Sequence, residues 1–155
     1  MQWKEFFTLT GFACAMLTKP ITGKGHVVVV EPDDLIRELL ERWLVAEGFT
    51  VSDALSSRRA AALVIISLPR PGQAEASLQE VRARHGAVPI LAISGRFRRG
   101  LAPSGEAALR LGVNKALPKP FTREELLLAV AETLREGAGG GAGGGAGAVA
   151  GSGKV

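Results

Sequence analysis

Only one of the 155 residues is cysteine. Cys14 therefore has no internal partner, which excludes a disulfide framework and suits a reducing compartment. The two histidines, His26 and His85, lie far apart with no second cysteine between them, so no zinc-ligand spacing exists. Aromatics make up 5% of the chain, low for a globular protein, while hydrophobic content of 46% is ordinary. No apolar run reaches the roughly 20 residues a helix needs to span a bilayer. The run from Phe6 to Leu17 is too short, and Ala13-Cys14-Ala15 is a poor signal-cleavage pattern, so residues 1–25 read as a loosely packed extension. A Gly-Lys-Ser/Thr phosphate loop, a glycine-rich first turn and a catalytic triad are also missing. The net charge of +4 adds little, because between His26 and Glu136 fifteen Lys or Arg face fourteen Asp or Glu. A core so close to neutral argues against general nucleic-acid binding.

The segment Val27-Val28-Val29-Val30-Glu31-Pro32-Asp33 organises what is present. Four β-branched residues in a row read as a strand buried on both faces. Carboxylates at the end of such a strand are how an open α/β sheet builds a site. A helix follows from about Asp34 to Glu47, with Asp33 as N-cap, Gly48 as the stop, and Leu35, Ile36, Leu39, Leu40, Trp43 and Leu44 as its apolar stripe. Phe49–Ser52 reads as a second strand, 56–62 as a helical stub of at most two turns, and Leu63–Ile66 as a third strand. Two prolines between Ser67 and Gly72 speak against helix there, so the next helix is expected from about Ala74 to Arg84. Val88–Ile93 is a fourth strand, followed by a polar loop to Pro103 and a helix from about Ser104 to Leu111. Ala116-Leu117 is a fifth strand. The last helix opens on a Thr122/Glu125 capping box and runs to about Glu136. Residues 137–155 hold ten of the twenty glycines and read as a flexible tail. Five strands alternating with helices predict a doubly wound α/β domain over 26–136, with a flavodoxin-like parallel sheet.

Four segments in this order carry a family resemblance: Val27–Leu40; Leu63-Val64-Ile65-Ile66-Ser67-Leu68-Pro69-Arg70-Pro71-Gly72; Val88–Gly95; and Leu117-Pro118-Lys119-Pro120-Phe121. Together they resemble the receiver domain of two-component response regulators, CheY-like, over residues 26–136. The resemblance implies strand order 2-1-3-4-5 and an aspartate at the end of the third strand that accepts a phosphoryl group. It also implies an acidic pair that binds Mg²⁺, and a Ser or Thr and a Lys that contact the phosphoryl group. Mapped onto this chain, Ser67 stands at the phosphoacceptor position, and Glu31 and Pro32 stand at the acidic pair, with Asp33 beside them. Ser94 and Lys119 keep the phosphoryl-contact positions, and Ala116 stands at the aromatic switch position.

A serine hydroxyl needs a neighbouring base to act as a nucleophile. One carboxylate holds Mg²⁺ poorly. The expectation is therefore a degenerate receiver, not an enzyme and without cofactor, Mg²⁺ included. Glu31 and Lys119 are expected to pair with each other in place of the missing phosphate and metal. Two other readings remain at this point: a working receiver with Ser67 as altered acceptor, and an unrelated flavodoxin-like small-ligand binder. The resemblance implies a cytoplasmic protein working through a protein partner, a histidine kinase or another signalling protein. Nucleic acid and membrane are not expected as partners, and a homodimer through the last two helices is compatible. Arg96-Phe97-Arg98-Arg99 is the candidate partner loop, because arginines around an aromatic are what interface hot spots favour.

Overall fold

The computed structural model describes residues 23–53 and 59–139. Within them the chain runs β1 (His26–Val30), α1 (Asp34–Ala46), β2 (Thr50–Asp53), β3 (Leu63–Ser67), α2 (Pro71–His85), β4 (Ile90–Ser94), α3 (Leu101–Leu111), β5 (Lys115–Pro118) and α4 (Arg123–Gly139). All strand pairs are parallel and the order is β2-β1-β3-β4-β5, a doubly wound flavodoxin-like sheet. The register sets Val27 against Leu63, Leu91 against Lys115 and Ile66 against Ala92.

The sheet splits its apolar side chains between two cores, as the two-residue period of a strand requires. Val27, Val29, Leu63, Ile65, Leu91 and Ile93 pack against Leu40 and Leu44 of α1 and Leu126 and Val130 of α4. Val28, Val64, Ile66 and Ala92 face the other way, against Leu78 and Val81 of α2 and Ala108 of α3. Every residue of β3 and β4 is buried, which explains the unbroken apolar runs. Truncating Leu40 or Leu126, both fully buried, would cost about 2–5 kcal/mol.

Local chemistry fixes the helix ends. Asp33 Oδ1 accepts hydrogen bonds from the backbone N–H of Leu35 and Ile36, and so caps α1. Thr122 Oγ1 accepts from Glu125 N at 3.2 Å, while Glu125 Oε2 accepts from Thr122 N at 2.8 Å, the reciprocal box that starts α4. Gly48, at φ +94°, makes the left-handed turn after α1.

Several expectations shift. Pro71 begins α2 rather than preventing it, because the first helical residue has no use for its N–H. For the same reason α3 starts at Leu101 and takes Pro103 into its first turn, where the loop was expected to continue. Leu35 is 79% exposed and Leu39 42% exposed, so the apolar stripe of α1 is narrower than its composition. Of the expected helical stub, residues 59–62 are non-helical and the rest lies outside the described residues. Contacts with the sheet and helices continue just outside 26–136 on both sides. Lys24 N donates to Gly48 O, and Lys24 pairs with Glu47 at 3.5 Å. At the other end α4 continues to Gly139, and a methyl group at Gly137 would overlap the Pro89 ring. The remainder of the extension and of the Gly/Ala-rich tail lies outside the described residues.

Candidate functional site

The C-terminal ends of β1, β3 and β5 converge on one cluster. Glu31, one residue past β1, has a buried side chain, only 2% exposed. Its Oε2 accepts from Lys119 Nζ at 2.8 Å, and its Oε1 accepts from Asp33 N at 3.0 Å. Lys119, just after β5, donates a second hydrogen bond to Ser67 Oγ at 2.9 Å. Ser67 is the last residue of β3 and is buried. Thus the sheet edge brings together Glu31, Ser67 and Lys119 in a closed set of charge-assisted hydrogen bonds. The Lys119–Pro120 peptide is cis.

The other residues of the mapped site do not join this set. Pro32 is exposed and has no side-chain ligand atom. The Asp33 carboxylate is engaged in the helix cap. Ser94 is buried, but its Oγ donates to Leu68 O at 2.8 Å and accepts from Arg96 N at 3.2 Å. Its backbone oxygen accepts from Lys119 N at 3.0 Å, so Ser94 positions the lysine through the main chain. Ala116 is buried beneath the groove between α3 and α4, a cleft of about 440 Å³. Among the described residues no three His, Cys, Asp or Glu side chains gather to hold a metal ion. The donor set at the sheet edge is one carboxylate already paired with a lysine, a neutral hydroxyl and a proline. That set does not fit Mg²⁺, which asks for oxygen ligands in near-octahedral array with one or two free carboxylates.

The Arg96–Arg99 loop divides. Phe97 packs against the α2/α3 core. Arg99 turns toward the start of α4, bonding Pro120 O and lying 3.6 Å from Glu125. Arg96 and Arg98 instead line a cleft of about 550 Å³ between α2 and α3, together with Glu106 and Arg110. Reading the sequence did not single out Arg110 or Glu106. They lie a helix away from the loop, and only the packing of α3 over the sheet brings them alongside.

The fold and the order of site residues define a class, the flavodoxin-like signalling receivers. No family model matches the chain. It is similar to PetR of Rhodobacter capsulatus, 33% identical over 118 residues that cover 71% of this chain and 48% of PetR. It is equally similar to the response regulator MprA of Mycobacterium avium, 33% identical over 120 residues, covering 71% of this chain and 51% of MprA. Among solved structures, a response regulator receiver protein from Burkholderia phymatum superposes with a TM-score of 0.57 at 26% identity, covering 72% of this chain and 96% of that one. The chain carries a CheY-like receiver domain, the kind of domain found in the response regulators it resembles. It spans about half the length of the curated relatives it matches. Among the described residues no helix is long and apolar enough to cross a membrane.

Proposed function

We propose that this receiver domain no longer accepts a phosphoryl group and acts in two-component signalling by protein–protein interaction alone. One observation carries the reading: Lys119 Nζ bonds both Glu31 and Ser67, at 2.8 and 2.9 Å. The three positions that would handle phosphoryl group and metal satisfy one another. Lys119 Nζ already donates to Ser67 Oγ, so it does not stand as the general base that the hydroxyl would need to attack phosphorus. With Pro32 contributing no ligand, Glu31 has no second carboxylate with which to bind Mg²⁺.

The domain then acts as a scaffold whose pocket is structural and not catalytic. Its partner is a histidine kinase or another signalling protein in the cytoplasm, and the exposed Arg96, Arg98 and Arg99 are the first surface to test for that contact. The α3–β5–α4 groove over Ala116 is the face for a second copy of the chain.

Incubation with Mg²⁺ and acetyl phosphate, followed by intact mass measurement, tests the central claim. The mass is expected to stay unchanged. A stoichiometric phosphate adduct would overturn the reading, and its location on Ser67 would establish the altered-acceptor mechanism instead.

A further inference from the structure

The cleft between α2 and α3 has a composition that the fold does not require. Arg96, Arg98 and Arg110 line it with Glu106 as the single carboxylate, and the apolar floor includes Phe97, Ala107 and Leu111. Five arginines elsewhere are paired: Arg37 with Asp34, Arg42 with Glu38, Arg84 with Glu80, Arg99 with Glu125 and Arg123 with Glu47. Arg82 donates to the Leu111 and Gly112 carbonyls, while among the described residues Arg70 and Arg135 stand singly on the surface. Among the described residues, none of the three cleft arginines has an ion pair or a side-chain hydrogen bond. Glu106 stands four residues before Arg110 on α3, the spacing at which helix pairs form, and still makes no ion pair with it. Three like charges facing one cavity repel one another and add nothing to folding. An anion entering the cavity would relieve that repulsion.

We infer that this cleft is a binding site for a small organic anion, one carrying two or more phosphate or carboxylate groups on a flat apolar body. The arginine fork matches phosphate and carboxylate oxygens two at a time. Phe97, half-buried in the floor, offers a ring against which a flat body can lie. A volume of about 550 Å³ is that of a small-molecule site. The cleft opens at the C-terminal ends of the strands, where open α/β sheets bind ligands. Its concavity favours a compact ligand over an acidic protein segment, which would need a longer groove. The inference is independent of whether Ser67 is phosphorylated, because none of the three arginines touches the Glu31–Ser67–Lys119 set.

The test is a titration of the full chain with ADP, inorganic pyrophosphate, adenosine and an aspartate-rich peptide, with EDTA present, read by amide chemical shifts. ADP is expected to give saturable shifts centred on Phe97, Ala107 and Leu111, and adenosine none. Arg98→Ala and Arg110→Ala should each weaken ADP binding by about tenfold or more, the effect of losing a charge-assisted bond. Arg42→Ala, on α1, should leave binding unchanged. If pyrophosphate matches ADP, the cleft reads the anion alone and the role given to its apolar floor is wrong. If the peptide shifts these residues and ADP does not, the site belongs to a protein partner and the small-molecule assignment fails. If neither ADP nor pyrophosphate gives shifts confined to the cleft at millimolar concentration, the inference is overturned.

Discussion

Two charged clusters share the C-terminal edge of one sheet and are built on opposite rules. At the ends of β1, β3 and β5, a lysine, a glutamate and a serine saturate one another. In the α2/α3 cleft, three arginines face a cavity with a single carboxylate and no bond to it. Ser94 stands between them, its main chain holding Lys119 and its hydroxyl turned to Leu68 O at the cleft. Charges that are satisfied internally hold the protein together, and charges left open are available to something from outside. If that distinction is right, the two clusters should respond in opposite ways to the same kind of substitution.

The largest effect is expected in the closed cluster. Lys119→Ala leaves the Glu31 carboxylate, 2% exposed, buried without its cation, which should destabilise the domain by about 3–5 kcal/mol in urea denaturation. Replacing both partners, Glu31→Gln with Lys119→Met, removes the uncompensated charge and should cost less than about 1.5 kcal/mol. A single substitution as mild as the double one would mean that the pair does not hold the pocket, and the comparison would lose one side.

A second test reopens the closed cluster. Ser67→Asp places another carboxylate against Glu31 with one lysine to share, a like-charge conflict worth about 1–3 kcal/mol at neutral pH. Adding Pro32→Asp at an exposed position supplies the missing acidic neighbour. Millimolar Mg²⁺ should then raise the thermal midpoint of the double variant and leave that of the wild type unchanged. Mg²⁺ stabilisation of the wild type would show that the pocket was never closed to metal.

The features that the sequence reading captured are those decided by near neighbours or by an unbroken pattern. Asp33, Gly48 and the Thr122/Glu125 box act within four residues, and the buried strands announce themselves as apolar runs. Errors arose where a local rule met a positional exception. Prolines speak against helix by rule, yet Pro71 begins α2 and Pro103 sits in the first turn of α3, because the N–H groups of a first turn have no intrahelical partner to lose. The stripe on α1 included Leu35 and Leu39 because composition does not fix which edge of a helix meets the sheet. In the site, the Glu31–Lys119 pair spans 88 residues and follows from sheet order, which came with the family resemblance. By sequence the arginine loop reads as one patch. Packing sends Arg99 to Glu125 and gives Arg110 to the other two, and neither relation has a local signature. Nor does the close approach of Gly137 to Pro89, which places the start of the supposed tail inside the domain.

A smaller effect is expected at the open cluster. Arg98→Ala and Arg110→Ala remove exposed, unpaired charges, so each should change stability by no more than about 0.5 kcal/mol. Any change should be toward greater stability at low salt, because like-charge repulsion is relieved. A loss above about 1 kcal/mol in either variant would make these arginines part of the fold and weaken the contrast with Lys119.

The smallest effect lies far from both clusters and sets a baseline for them. His26 opens β1 with Nδ1 3.2 Å from Thr50 Oγ1 and Nε2 3.0 Å from Ser52 Oγ. Burial lowers its pKa below the ordinary 6.5, and the charges of Arg59 and His85 push in the same direction. A depressed histidine pKa means that the unfolded chain binds the proton more readily. The stabilisation is therefore complete above about pH 6.5 and is lost as the pH falls through the lower folded-state value. The wild type should show a slight fall in urea midpoint between about pH 6.5 and pH 5, and His26→Gln should flatten that part of the curve relative to it. An identical slope in the two proteins would assign the pH response to other groups. Charge-pair effects at Glu31 and Lys119 would then have to be compared at a single pH.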